Sequence, residues 1–192
     1  MLRTFLALTL DVAERDRIVE LQGELGERLC ALGPLRPTRP EQLHVAVAFL
    51  GDTDPAAVTQ VAAVAEQIAE RHGPFILHAE RLRYLPKPSR TQVVALELAD
   101  AGGSAAALAL EMTSSLSALG WHFEPRRFLP HVTMFRSRKP FRCSPQLLAE
   151  PWPIPGEPVV KLSQVAYFAS FLQATGARYE LLSTAPLGTL TP

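Results

Sequence analysis

A chain of 192 residues and 21.0 kDa has room for one domain, or for two small lobes that share a core. With 47% hydrophobic and 20% charged residues, its composition is that of a globular protein able to bury a sizeable core, which excludes disorder along its length. Nineteen basic residues balance nineteen acidic ones, so no global field draws it to nucleic acid or membrane, and any electrostatic steering is local.

Residues 2–10 alternate and are β-prone, which predicts a first strand. The apolar run Phe5 to Leu10 is too short for a secretion signal and meets Asp11 with no small-residue cleavage site. Ile18, Leu21, Leu25, Leu29 and Leu32 recur at intervals of three and four and line one face of a helix. Gly33-Pro34 stops that helix, and three prolines from Pro34 to Pro40 predict an extended loop. LHVAVAFLG is a run of strand length closed by Gly51. Asp54-Pro55 starts a second helix whose inner face is Val58, Val61, Ala62, Ala65 and Ile68, ended by His72-Gly73-Pro74. Strands at 75–84 and 91–98 form a hairpin across Pro86 and Pro88. Leu108, Met112, Leu116 and Leu119 mark a third helix stopped by Gly120. Strands follow at 128–135, 160–169 and 177–184. Between the first two of these, Pro145, Pro151, Pro153, Pro155 and Pro158 predict a surface loop.

This order, β-α-β-α-β-β-α and then strands, fits an α+β fold better than a doubly wound parallel sheet. Neither GxGxxG nor GxxxxGK[ST] occurs, so no phosphate loop is predicted. Cys30 and Cys143 stand far apart outside any CxxC pattern, which leaves neither a disulfide framework nor a thiolate zinc site. Free thiols suit a reducing compartment, and a cytoplasmic location is expected. No stretch approaches the ~18 apolar residues of a membrane span.

One internal similarity carries chemistry. Leu43-His44-Val45-Ala46-Val47 and Pro130-His131-Val132-Thr133-Met134 share a core, each at the start of a predicted strand. Residues i and i+2 of a strand face the same way, so His44 and Ala46 share a face, as do His131 and Thr133. The valines and Met134 fill the opposite, core-like face. Phosphodiester hydrolysis needs a base to activate water and an acid to protonate the departing oxygen. One neutral and one protonated imidazole supply both near pH 7, a hydroxyl two residues on donates to a phosphate oxygen, and no metal is needed. His72, His78 and His122 lack this context and read as structural. The segment RRFLPHVTMFRSRKPFR, from Arg126 to Arg142, holds six cations and no acid. It reads either as a solvated arginine-rich loop or as a funnel for a polyanion such as an RNA end. Its phenylalanines, Phe128, Phe135 and Phe141, read as core.

With these residues in place, the chain resembles the 2H phosphoesterases, specifically the RNA 2′,3′-cyclic phosphodiesterases also called bacterial 2′-5′ RNA ligases. Four segments carry the resemblance in order: RTFLAL, LHVAVAFLG, RRFLPHVTMFR and YFASFLQATGARYELL. It implies one bilobal α+β domain over residues 1–192, with pseudo-twofold symmetry, two antiparallel sheets flanking a central cleft, and helices outside. It implies hydrolysis of a terminal ribose 2′,3′-cyclic phosphate to a 2′-phosphate, without metal or other cofactor; a monomer is expected. His44 then matches the proton donor to the leaving 3′ oxygen, His131 the proton acceptor from water, Thr133 the phosphate-binding hydroxyl, and Arg136 an arginine five residues after the second histidine. Strict alternation turns Arg136 away from His131, so its role requires a bulge or a strand end. Ala46 stands where the first motif of such proteins has Thr or Ser. Two other readings fit the residues: hydrolysis of a small cyclic nucleotide or ADP-ribose cyclic phosphate, and non-catalytic binding of RNA ends. A His-metal hydrolase fits neither histidine motif, because no HxH, HExxH or neighbouring acid occurs in them.

Overall fold

The computed structural model describes residues 1–124, 127–148, 154, 158–173 and 176–188. The chain runs β1 (Leu2–Leu10), α1 (Val12–Leu32), β2 (Leu35–Pro37), β3 (His44–Thr53), α2 (Val58–Ala69), β4 (Phe75–Leu85), β5 (Thr91–Ala99), α3 (Ser104–Ala118), β6 (His131–Phe141), α4 (Pro145–Leu148), β7 (Val159–Gln173) and β8 (Gly176–Pro186). The fold is α+β, as expected from the element order.

Helix α1 begins where the Asp11 carboxylate accepts the Glu14 N–H at 2.9 Å. Its face of Ile18, Leu21, Leu25 and Leu29 is buried. At about 1.5–3 kcal/mol for each such side chain, this burial outweighs the roughly 2 kcal/mol that Gly23 and Gly26 cost the helix. Gly33 ends it where a Cβ would fall 2.7 Å from the Phe141 ring, so that close approach requires a glycine or a shifted ring. Asp54 caps not α2 itself but a 3-10 turn, Pro55–Ala57, that leads into it.

Three expectations change in detail. Residues 35–37 are not only loop: they form the short edge strand β2, which pairs with β6 from Leu35↔Ser137 to Pro37↔Phe135. Strand β6 spans 131–141 rather than 128–135, so Arg136, Arg138 and Lys139 lie on a strand. Of the prolines predicted to loop over the surface, Pro145 opens the four-residue α4, while Pro151, Pro153 and Pro155 lie outside the described residues.

Among the described residues all strand pairings are antiparallel, and the eight strands are hydrogen-bonded into one system with two halves. The first half has the order β3-β1-β7-β8 and the second β4-β5-β6-β2. Instead of standing apart, the halves are joined at one junction by β4–β7, from Phe75↔Leu162 to His78↔Val159, and at the other by the single pair Val45↔Val132 between β3 and β6. Helices α2 and α3 pack on β3, β7 and β8, and α1 packs on β1, β2 and β7. Leu6, Leu8, Val45, Leu96, Val132, Met134 and Phe135 fill the core beneath them. Among the described residues no helix is long and apolar enough to cross a membrane.

Candidate active site

The junction of β3 with β6 creates the site. Val45 and Val132 are directly opposite and fully buried, so the residues flanking each of them point to the other face. Carrying the antiparallel register one residue further sets His44 beside Thr133 and Ala46 beside His131. These four residues line one cavity of about 170 Å³, together with Phe49, Leu85, Val93 and Arg136. The structure therefore brings His44, His131, Thr133 and Arg136 to a single place.

Both imidazoles are fixed by the same local device. His44 Nδ1 lies 2.7 Å from the Gln42 carbonyl oxygen, and His131 Nδ1 lies 2.8 Å from that of Leu129. A carbonyl only accepts, so Nδ1 donates in each ring and Nε2 is left for chemistry. Each supporting turn is itself held. The Gln42 side-chain amide donates to the Ala177 carbonyl of β8. The Pro130 carbonyl accepts from Leu98 N–H of β5 at 2.9 Å.

A bulge in β6 resolves the position of Arg136. Ala95 pairs with Thr133 but Val94 pairs with Phe135, so Met134 is an extra residue on its strand. Met134 and Phe135 are both buried, and Arg136 returns to the face of His131 and Thr133, opposite Val93. Strand β3 repeats this. Ala7 pairs with Ala46 and Leu6 with Ala48, Val47 is the extra residue, and Phe49 reaches the cavity opposite Phe5. The two histidine strands thus carry equivalent sets, His44-Ala46-Phe49 and His131-Thr133-Arg136. One is apolar beyond its histidine and the other polar.

The apolar side continues as an aromatic group that sequence reading missed. The His44 ring centroid is 5.1 Å from Phe5 and 5.6 Å from Tyr179, and Phe5 also meets Phe49 at 5.7 Å and Phe168 at 5.3 Å. Burial here pushes the His44 imidazole down to about 4, the Gln42 carbonyl opposes this, and the nearby charges of Arg136 and His131 add to the lowering. His44 is neutral at pH 7 before any anion arrives. The four rings come from β1, β3, β7 and β8, so only pairing across the sheet assembles them, and no local pattern marks them.

The rest of the arginine-rich segment does not converge on the cavity. Arg127, Arg138, Lys139 and Arg142 are exposed and do not line it, and Arg126 lies outside the described residues. The other histidines stay apart as expected: His72 Nε2 meets Glu111 at 2.7 Å, His122 Nδ1 meets the Gly120 carbonyl at 3.1 Å, and His78 is exposed on β4. Cys30 is exposed and Cys143 buried, and both are free.

Two imidazoles, a hydroxyl and a guanidinium around one small cavity form a set suited to a phosphoester, and comparison with known proteins points the same way. Residues 8–95, which contain His44 but not His131, match the family described as LigT like phosphoesterase. An RNA 2′,3′-cyclic phosphodiesterase of Aeropyrum pernix is 28% identical over 105 residues, 54% of this chain, and the match spans 57% of that relative's length. An RNA 2′,3′-cyclic phosphodiesterase of Thermus thermophilus is 26% identical over 169 residues, covering 83% of this chain and 81% of that protein. The crystal structure of E. coli LigT complexed with 3′-AMP superposes with a TM-score of 0.75 at 23% identity, over 97% of this chain and 98% of that one. The chain is similar to LigT-like phosphoesterases in sequence over residues 8–95, and to E. coli LigT in fold over nearly its whole length.

Proposed function

We propose that this protein hydrolyses the terminal 2′,3′-cyclic phosphate of RNA to a 2′-phosphomonoester, with His44 and His131 as its acid and base and no metal ion in the step. The observation that carries the proposal is the Val45↔Val132 pairing, which sets two imidazoles with matched Nδ1 anchors on one cavity with Thr133 and Arg136. The relatives named as RNA 2′,3′-cyclic phosphodiesterases support the choice of reaction. In the proposed step His131 Nε2 takes a proton from water as the water oxygen bonds to phosphorus. The bond from phosphorus to the 3′ oxygen breaks, and His44 Nε2 gives that oxygen a proton. Thr133 donates to a non-bridging oxygen, and Arg136 balances the phosphate charge. The test is incubation with an oligonucleotide ending in a 2′,3′-cyclic phosphate, in EDTA, followed by identification of the product. A 2′-phosphate formed in EDTA supports the reading. No product in EDTA, with product restored by a divalent ion, overturns the metal-free step.

The state of His44 gives a pH prediction. Turnover needs one imidazole neutral and one protonated. Below about pH 4 His44 takes up a proton in the free protein. As the proposed acid, His44 must carry that proton, so its limb in kcat/KM is expected to fall as pH rises above about 4. A bound phosphate anion favours protonated His44, so the same limb in kcat should lie at higher pH. Steady-state rates across the acid range check this, and coincident limbs in kcat and kcat/KM would remove His44 from the anion's surroundings.

Ala46 gives another prediction. It lines the cavity beside His131, where its counterpart Thr133 presents a hydroxyl. Ala46→Thr should add a donor to the anion and raise kcat/KM by up to about tenfold, with an unchanged denaturation midpoint. Lower stability without a kinetic gain would mean that the new hydroxyl meets protein instead of phosphate.

A further inference from the structure

The second half-sheet carries a cationic group that the proposed step does not use. On its cavity-side face the register sets three cross-strand rows: Arg81–Glu97–His131, Arg83–Ala95–Thr133 and Leu85–Val93–Arg136. The last row lines the cavity with all three of its residues, which fixes the side to which the other two rows point. Glu97, only 5% exposed, accepts from Arg81 at 2.7 and 3.3 Å and from Arg83 at 2.7 and 2.8 Å. The arginine side chains stand over it, 57% and 37% exposed.

A buried carboxylate needs one arginine to neutralise it. Here two are fixed to one acid, so Glu97 alone leaves one positive charge over beside the row of His131, and the exposed Glu80 carboxylate acts on both guanidiniums from nearby. The bonds to Glu97 use Nε and Nη2 of each guanidinium, so among the described residues Nη1 of both is left for a further acceptor. The shared carboxylate also holds both long side chains in place before any ligand arrives, which lowers the ordering cost of binding. Strands β4 and β6 are two sheet spacings apart, roughly 10 Å. The guanidiniums are thus set to one side of the histidine cavity, where the next part of a chain-like substrate would run.

Building on the reading of the cavity as a cyclic-phosphate site, we propose that Arg81 and Arg83, held by Glu97, form a second anion subsite. It takes the phosphodiester adjoining the terminal nucleotide, so the substrate is an RNA end of at least two nucleotides. The experiment compares kcat/KM for a nucleoside 2′,3′-cyclic phosphate with that for a dinucleotide ending in the same group, over a range of salt. The wild type should prefer the dinucleotide by about tenfold at low salt, and that preference should weaken as salt rises. Arg81→Gln and Arg83→Gln should each shrink the preference severalfold through KM, and flatten the salt slope by about 0.7 for each lost phosphate contact. If Arg83→Gln fails to fold, the more exposed Arg81 carries the test. No preference in the wild type, or the same preference in the variants, overturns the subsite. A wild type that cleaves neither substrate overturns the reading of the cavity instead. Binding then decides the subsite: tighter binding of a dinucleotide 2′-phosphate than of a nucleoside 2′-phosphate, lost in Arg81→Gln, supports it, and equal binding overturns it.

Discussion

Alanine in place of His44 or His131 is expected to lower kcat at least about 100-fold, because a positioned acid or base supplies roughly 10²–10⁴ of the rate. The double variant should fall well short of the product of the two losses, since the two groups act together in the proposed step. Single-turnover rates, with circular dichroism to establish folding, check this. A variant within a few-fold of wild type would remove that residue from the chemistry. The two rings are anchored so alike that their roles must be separated chemically. An aryl phosphodiester, whose phenolate departs without a proton, should rescue much of the His44→Ala rate and little of the His131→Ala rate. Rescue of His131→Ala instead would exchange the two roles.

Phe135→Ala is expected to cost about 3–5 kcal/mol, the usual result of emptying a fully buried aromatic position. For a chain of this size that is a fall in Tm of roughly 6–20 °C, measurable by calorimetry or urea unfolding. Phe135 lies within the bulge of β6, and its ring packs against Gly26 of α1. The cavity left behind should also loosen the strand just before Arg136, so KM should rise in protein that is still folded. A loss below about 1 kcal/mol would mean that the bulge does not depend on this ring.

Much of the fold is legible in the sequence because its strands and helices keep clean periods. His44 and His131 stand out because the same short pattern occurs twice with the same alternation of core and non-core residues. Arg136 shows where that reasoning stops: alternation turns it away, and only the extra residue Met134 turns it back. A bulge is a property of pairing, since it exists relative to a partner strand, and the arginine leaves no local mark of it. The same holds for Phe5, Phe49, Phe168 and Tyr179, which four strands bring together. Strand β6 extends past its expected end because charged residues there look like loop, whereas an antiparallel strand with one solvated face accommodates them. The ion-paired group on β4 and β5 did leave a signal. Glu97 is a lone acid inside the apolar run VVALELA, and a charge in such a strand requires a partner.

The unequal ends of the matched bulges bear on how often a productive encounter occurs. A cleft with true twofold symmetry would accept a cyclic phosphate in either of two orientations. In one of them the scissile ester would lie beside the base and the attacking water beside the acid, and the complex would have to dissociate unreacted. Such wasted binding lowers kcat and KM together and leaves their ratio to the productive mode. In this chain Phe49 and Ala46 stand where the other strand offers Arg136 and Thr133, so in the proposed reaction only the second strand gives the anionic oxygens a guanidinium and a hydroxyl. The asymmetry makes the reversed complex poor in energy, and a repeated strand motif becomes a site with a single sense of direction.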